Sequence, residues 1–179
     1  MLSSGPCTQR GISLIEVVVG MAILAIAMML GLPSFNEWIQ NAQIRTAAES
    51  LVSGLQQARS EAVRRNAHVI FIANGNGTPG VTGWQVILRN SGAVLQAQID
   101  GQGSRNATVT PNNQQITFNG MGRVLERNPD GTNPITQIEV DNPKLSAEEK
   151  RNLRITINAG GEIRLCDPKV TDNSDPRSC

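Results

Sequence analysis

Three patterns of apolar and polar positions follow one another along the chain. Over residues 12–32 the sequence is apolar apart from Ser13 and Glu16. About 20 such residues suffice to cross the hydrocarbon core of a bilayer as a helix, which predicts a transmembrane helix over 12–33. Over 34–66 the pattern takes on helical period. Ile44, Ala48, Leu51, Leu55, Ala58 and Ala62 recur at three- and four-residue steps and form one narrow apolar stripe suited to covering a sheet. Glu61 precedes Arg65 by four residues, the favourable order for a helical ion pair.

Beyond Asn66 the period becomes two. Residues 68–73, 84–89, 93–99, 115–118, 123–125, 135–140, 153–158 and 162–166 read as short strands separated by Gly, Asn and Pro turns. Asn90-Ser91-Gly92, Asn119-Gly120 and Ala159-Gly160-Gly161 suit tight antiparallel hairpins, because they supply residues tolerant of positive φ. Ser146-Ala147-Glu148-Glu149 has the pattern of a capping box and predicts a small helix. The fold class expected is α+β, a long N-terminal helix whose second half packs on antiparallel sheets within a domain over 34–179. Stretches 128–134 and 141–152 read as lengthened loops without an assignable role.

The flanks of the apolar run orient it. Arg10 is the sole cation between the start of the chain and the run, and the next cation is Arg45, so the positive-inside rule leaves the N-terminus cytoplasmic and the remainder periplasmic. A secretory signal would have a shorter apolar core and a small-residue cleavage site after it, whereas Pro33-Ser34-Phe35 follow here. Composition fits the same picture: no Tyr and 17 Gly describe a turn-rich β domain with a thin core rather than a helical enzyme. Lys and Arg number 16 against 15 Asp and Glu, so nothing global asks for a nucleic-acid partner.

Glu16 is the anomaly. A carboxylate near one end of a lipid-facing helix is costly unless it reaches the interface or meets a cation. The residues around it, Gly11-Ile12-Ser13-Leu14-Ile15-Glu16, resemble the type IV prepilin motif. That resemblance implies a leader over 1–11, cleavage by a prepilin peptidase between Gly11 and Ile12, and N-methylation of Ile12. It also implies assembly through pairing of Glu16 with the terminal amine of a neighbouring subunit. Low dielectric between two staggered helices would strengthen that attraction. Ile12 stands where Phe or Met is more usual, and Pro33 falls where pilins carry a helix-kinking proline. Loss of the leader removes Cys7 and leaves Cys166 and Cys179 as an even pair. In an oxidising compartment they are expected to close a short terminal loop as a disulfide.

One long helix followed only by β hairpins extends the resemblance to the GspH/FimT family of minor pilins and pseudopilins. The stretch 47–66, AAESLVSGLQQARSEAVRRN, is similar to that family's helix, and 153–166, LRITINAGGEIRLC, to its closing hairpin. The resemblance implies a minor type IV pilin held in the inner membrane and incorporated at the pilus tip, where it primes assembly. Its implied partners are other minor pilins, the major pilin and the inner-membrane assembly platform. It leaves open an H-type pseudopilin of type II secretion, and a DNA-binding minor pilin of natural transformation. Family members of the last kind contact phosphates through a C-terminal Gly-Arg-x-Arg motif. Here the matching positions read Gly161-Glu162-Ile163-Arg164, so Arg164 is retained while Glu162 would repel phosphate. Lys169 and Arg177 are the other candidate DNA contacts, offset by Asp167, Asp172 and Asp175.

Other motifs reduce to structure. Gly75-Asn76-Gly77-Thr78-Pro79-Gly80 matches a dinucleotide-binding pattern, but it leads into a strand rather than a helix, so a hairpin loop is expected. His68 is the sole histidine and is expected to be a partly exposed structural residue. Asp130 and Asp141 offer oxygen ligands for calcium in the long loops, without ordered ligand spacing. No cofactor and no enzymatic activity are implied.

Overall fold

The apolar run and the amphipathic stretch join in one helix, α1 (Leu14–Arg65). The computed structural model describes residues 12–172 and 174–179, and of residues 30–34 only their place in α1. The chain divides into a unit ending at Asn36 and a unit over Glu37–Cys179. In the first unit Leu14, Ile15, Val18, Met21, Ile23 and Met29 are all exposed. Among the described residues no helix is long and apolar enough to cross a membrane. The apolar stretch with described side chains ends at Met29 and covers about 24 Å at 1.5 Å per residue, short of a core of about 30 Å. The side chain of Pro33, and with it the expected kink, lies outside the described residues, as do the leader and Gly11.

In the second unit the apolar stripe is realised in full. Ile44, Ala48, Leu51, Leu55, Ala58 and Ala62 are buried completely, joined by Ala47. The helix ends where Asn66 adopts φ 47°. The amide of Ala67 donates to Ala62 O and that of Asn66 to Val63 O, which satisfies the last carbonyls in a Schellman arrangement. The chain then enters β1 (Val69–Ala73), followed by β2 (Trp84–Leu88), β3 (Val94–Gln98), β4 (Thr108–Pro111), β5 (Gln115–Phe118), β6 (Gln137–Asp141), β7 (Leu153–Ile157) and β8 (Ile163–Cys166). These form two four-stranded sheets, in the orders β3-β2-β1-β5 and β4-β6-β7-β8. Every pairing is antiparallel.

Alternation along β1 buries Val69, Phe71 and Ala73, and along β6 it buries Ile138 and Val140, so both sheets contribute to one core with the α1 stripe. At Gly54 the helix lies close against the sheet. A Cβ there would lie 2.8 Å from the indole carbons of Trp84 and 2.9 Å from Phe71. Trp84 is fixed from two sides, by stacking on Phe71 with centroids 5.7 Å apart and by donation of its Nε1–H to Ser50 Oγ at 2.9 Å. Gly54→Ala gains about 1 kcal/mol of helix propensity. The overpacking it causes costs about 1–3 kcal/mol. A net loss of stability is therefore expected in urea unfolding of the soluble fragment from residue 34 onward.

Three local expectations are corrected. The strand β4 has no clear two-residue alternation, being Thr108-Val109-Thr110-Pro111, and is recruited by pairing with β6. The strand expected at 123–125 shrinks to a single bridge between Val124 and Phe118. At 146–149 the capping contact forms, with Ser146 Oγ donating to Glu149 Oε2 at 2.9 Å, but only one turn follows, closed by Lys150 N–H to Ser146 O. Asn41 on α1 holds that turn from both sides, donating to Glu149 O and accepting from the amide of Arg151. The loop thereby serves as a cover for α1 rather than as a helix.

Candidate functional site

The first candidate site is the start of α1. The carbonyl of Ser13 accepts from the amides of Glu16 and Val17, which places Glu16 in the first helical turn. A carboxylate there meets the partial positive charge of the helix N-terminus. Glu16 is exposed, and among the described residues no ion pair engages it. Its neighbours Ile12, Leu14 and Ile15 are 76%, 81% and 66% exposed, so the charge stands among exposed apolar side chains. Ile12 lies just before the helix, and its proposed scissile bond to Gly11 reaches outside the described residues.

The second candidate site is the C-terminal loop. Cys166 and Cys179 are joined by a disulfide across a sequence separation of 13, with Cα atoms 5.2 Å apart. The loop lies along β8: the amide of Asp167 donates to Arg177 O, and Asp167 bridges Ser178. The structure places Arg164 on β8 and Lys169 and Arg177 on this loop, and each is engaged inside the chain. Arg164 donates to Pro176 O and Ser178 O at 3.1 and 2.9 Å. Lys169 Nζ reaches Ala147 O and Lys150 O at 2.5 and 2.8 Å, tying the terminal loop to the 141–152 loop. Arg177 forms a two-point contact with Asp175. Glu162 exchanges hydrogen bonds with Asn158 across the β7–β8 turn.

The Arg177 guanidinium, together with the Arg177 amide, holds the Asp175 carboxyl down from 3.8 to about 2. A depressed carboxylate favours the folded loop above about pH 4, and the contribution disappears as pH falls through about 2. An NMR titration should place the Asp175 midpoint near 2, and Arg177→Gln should return it toward the ordinary carboxylate range. Hydrogen bonds from the Ser174 amide and hydroxyl likewise lower Asp172.

The long loops contain buried amides whose importance the sequence did not signal. Asn128 accepts from Thr117 Oγ1 at 3.0 Å, and its Nδ2 lies 3.0–3.1 Å from Gln115 O, Thr132 Oγ1 and Asn133 O. Asn142 is fully buried and donates to Gln40 Oε1 at 2.9 Å. Asp130 accepts twice from Thr132, and Asp141 pairs with Lys150 at 2.6 Å. Among the described residues no group of three His, Cys, Asp or Glu could hold a metal ion. His68 is half-buried and accepts at Nδ1 from Arg89 at 2.9 Å. The Gly75–Gly80 loop joins antiparallel β1 and β2, as expected of a hairpin, and donates from Gly77 and Gly80 to Val109 O and Ala107 O.

Comparison with known proteins agrees with this architecture. Residues 47–161 match the family model of the type II transport protein GspH. Residues 7–32 match the prokaryotic N-terminal methylation motif. No curated protein matches the sequence. Among solved structures, the chain is similar to the type IV minor pilin FimU of Pseudomonas aeruginosa in its P21 crystal form. That similarity has 20% identity and a TM-score of 0.52, over 72% of this chain and 95% of that one. The P65 form gives 20% identity and a TM-score of 0.49, over 72% and 99%.

Proposed function

From the premise that the chain belongs to the family of the type II transport protein GspH, made of pilin-like structural proteins and not enzymes, we propose that it is a minor type IV pilin. In this reading a prepilin peptidase cuts between Gly11 and Ile12, and Ile12 is N-methylated. The segment 12–33 holds the chain in the inner membrane with the domain in the periplasm, and the mature protein enters the pilus tip and primes assembly. The observation that carries it is Glu16, a carboxylate on exposed apolar helix with no ion-pair partner among the described residues. Leaving a charge unpaired in lipid is costly, and the free ammonium of an adjacent mature N-terminus supplies the missing partner. The match to the N-terminal methylation motif supports the processing step.

Glu16→Ala should leave the amount of protein in the membrane unchanged while removing it from sheared filaments. Normal levels in filaments, or a native protein that retains its first eleven residues by mass spectrometry, would overturn this reading. The family match itself favours a second one, a pseudopilin of type II secretion. Deleting the pilus assembly platform or the secretion platform in turn, and asking which deletion strands the chain in the membrane, separates the two.

A further inference from the structure

We infer that the outer edge of β3 is a docking site for an extended, uncharged strand of a neighbouring, different filament subunit, which lengthens the β3-β2-β1-β5 sheet by one strand. The hydrogen-bonding phase of that sheet is fixed by two bonds. Arg89 donates to His68 O, toward β1, and Leu88 donates to Ala93 O, toward β3. In an antiparallel ladder this direction alternates, so Trp84 and Val86 also bond toward β3. Their register partners are Gln98 and Gln96. Those two residues therefore bond inward, and the N–H and C=O of Ala97 between them point away from the sheet.

The other three sheet edges are covered by the chain itself. Beside β4, Gly77 and Gly80 donate to Val109 O and Ala107 O. Beside β5, Leu125 donates to Thr117 O and Ile135 to Gln115 O. At β8 the disulfide-closed terminal loop is tied across by the Cys166–Cys179 bond and by Arg164 donating to Pro176 O and Ser178 O, and it pairs at Asp167 just beyond the strand. No backbone bond of this kind reaches β3 over Val94–Gln98 among the described residues. Exposed edges are ordinarily blunted by lysine or proline, yet residues 93–99 contain no charge and no proline. A bulge between Val86 and Ile87 disturbs only the beginning of β3, and the strand from Gln96 to Gln98 is regular.

The character of the occupant follows from this edge. Val94 and Ile99, 56% and 76% exposed, flank an uncharged strand, so an incoming charged segment would find no counter-charge while an apolar or amide-bearing one would pack. A second copy of this chain does not fit. Among the described residues its uncovered edge is that of β3, and antiparallel β3–β3 pairing rotates one copy by half a turn about the sheet normal. That rotation reverses its α1, whereas subunits drawn into a filament from one membrane share one direction.

This inference rests on the filament reading above, and one experiment separates them. The full chain is expressed in its native cells as wild type, Ala97→Pro, Ala97→Lys and Gln98→Pro, and each is measured in membranes and in sheared filaments. Thermal unfolding is recorded on the soluble fragment from residue 34 onward. Ala97→Pro removes only an outward N–H, so folding should match wild type while the filament-associated amount falls at least tenfold. Gln98→Pro removes an inward N–H and should lower the unfolding temperature. Ala97→Lys leaves the backbone intact and should also reduce filament association, so it decides the matter if the proline variant fails to fold. Undiminished filament levels of a folded Ala97 variant would overturn the edge proposal alone. Absence of the wild type from filaments would overturn the filament reading and this occupant with it.

Discussion

Replacing Phe71 by alanine should lower the unfolding free energy of the soluble fragment by about 3–5 kcal/mol, the range for emptying a fully buried aromatic site. Phe71 is completely buried on β1, between β2 and β5, stacked on Trp84 and aimed at the α1 stripe near Gly54. Helix and sheet both lose a contact near Gly54, and α1, anchored to the loops through Gln40 and Asn41, is held from closing the gap. For a domain of ordinary stability this is a large fraction of the total. The check is the urea midpoint, which should fall with little change in the slope of the transition. Met121→Ala, at a residue 76% exposed, should change it by less than about 0.5 kcal/mol.

The second large effect is expected from the disulfide. Replacing Cys166 and Cys179 together by serine should cost about 3 kcal/mol, the value of the chain-entropy model for a loop of this length. The terminal loop bears Arg177 and Lys169, and Lys169 holds the 147–150 turn, so its release should propagate to that turn. Hydrogen exchange should show the amides of Asp167 and Lys150 losing protection before those of β1. A loss below about 1 kcal/mol would mean that Arg164 and the Asp167–Ser178 bridge suffice to hold the loop.

The helix stripe and most strands were legible in the sequence because burial is periodic there. All six stripe residues named from spacing are fully buried, and the hairpin turns at Asn90-Ser91-Gly92 and Ala159-Gly160-Gly161 connect the strands they were expected to connect. Strand β4 was not legible, because its place is set by β6 and not by its own residues. The loops were opaque for a related reason. Asn128 and Asn142 look like ordinary turn residues, and only the fold shows them buried and bonded to segments remote in sequence. At the candidate sites, Glu16 announced itself as a charge in an apolar run. Arg164, Lys169 and Arg177 could be read as cations, but their internal carbonyl and carboxylate partners could not.

The glycine turns also decide where the molecule tolerates a probe. A Cβ at Gly161 would lie against the carbonyl oxygen of Gly122, so these two turns interlock and Arg59 closes over them. A dye or epitope inserted at either would pry the domain open. At Gly131 nothing lies within 4 Å, but its φ of 84° strains any side chain, so the exposed Glu148, with an ordinary φ, is the place for a cysteine label by which single subunits could be followed under the microscope.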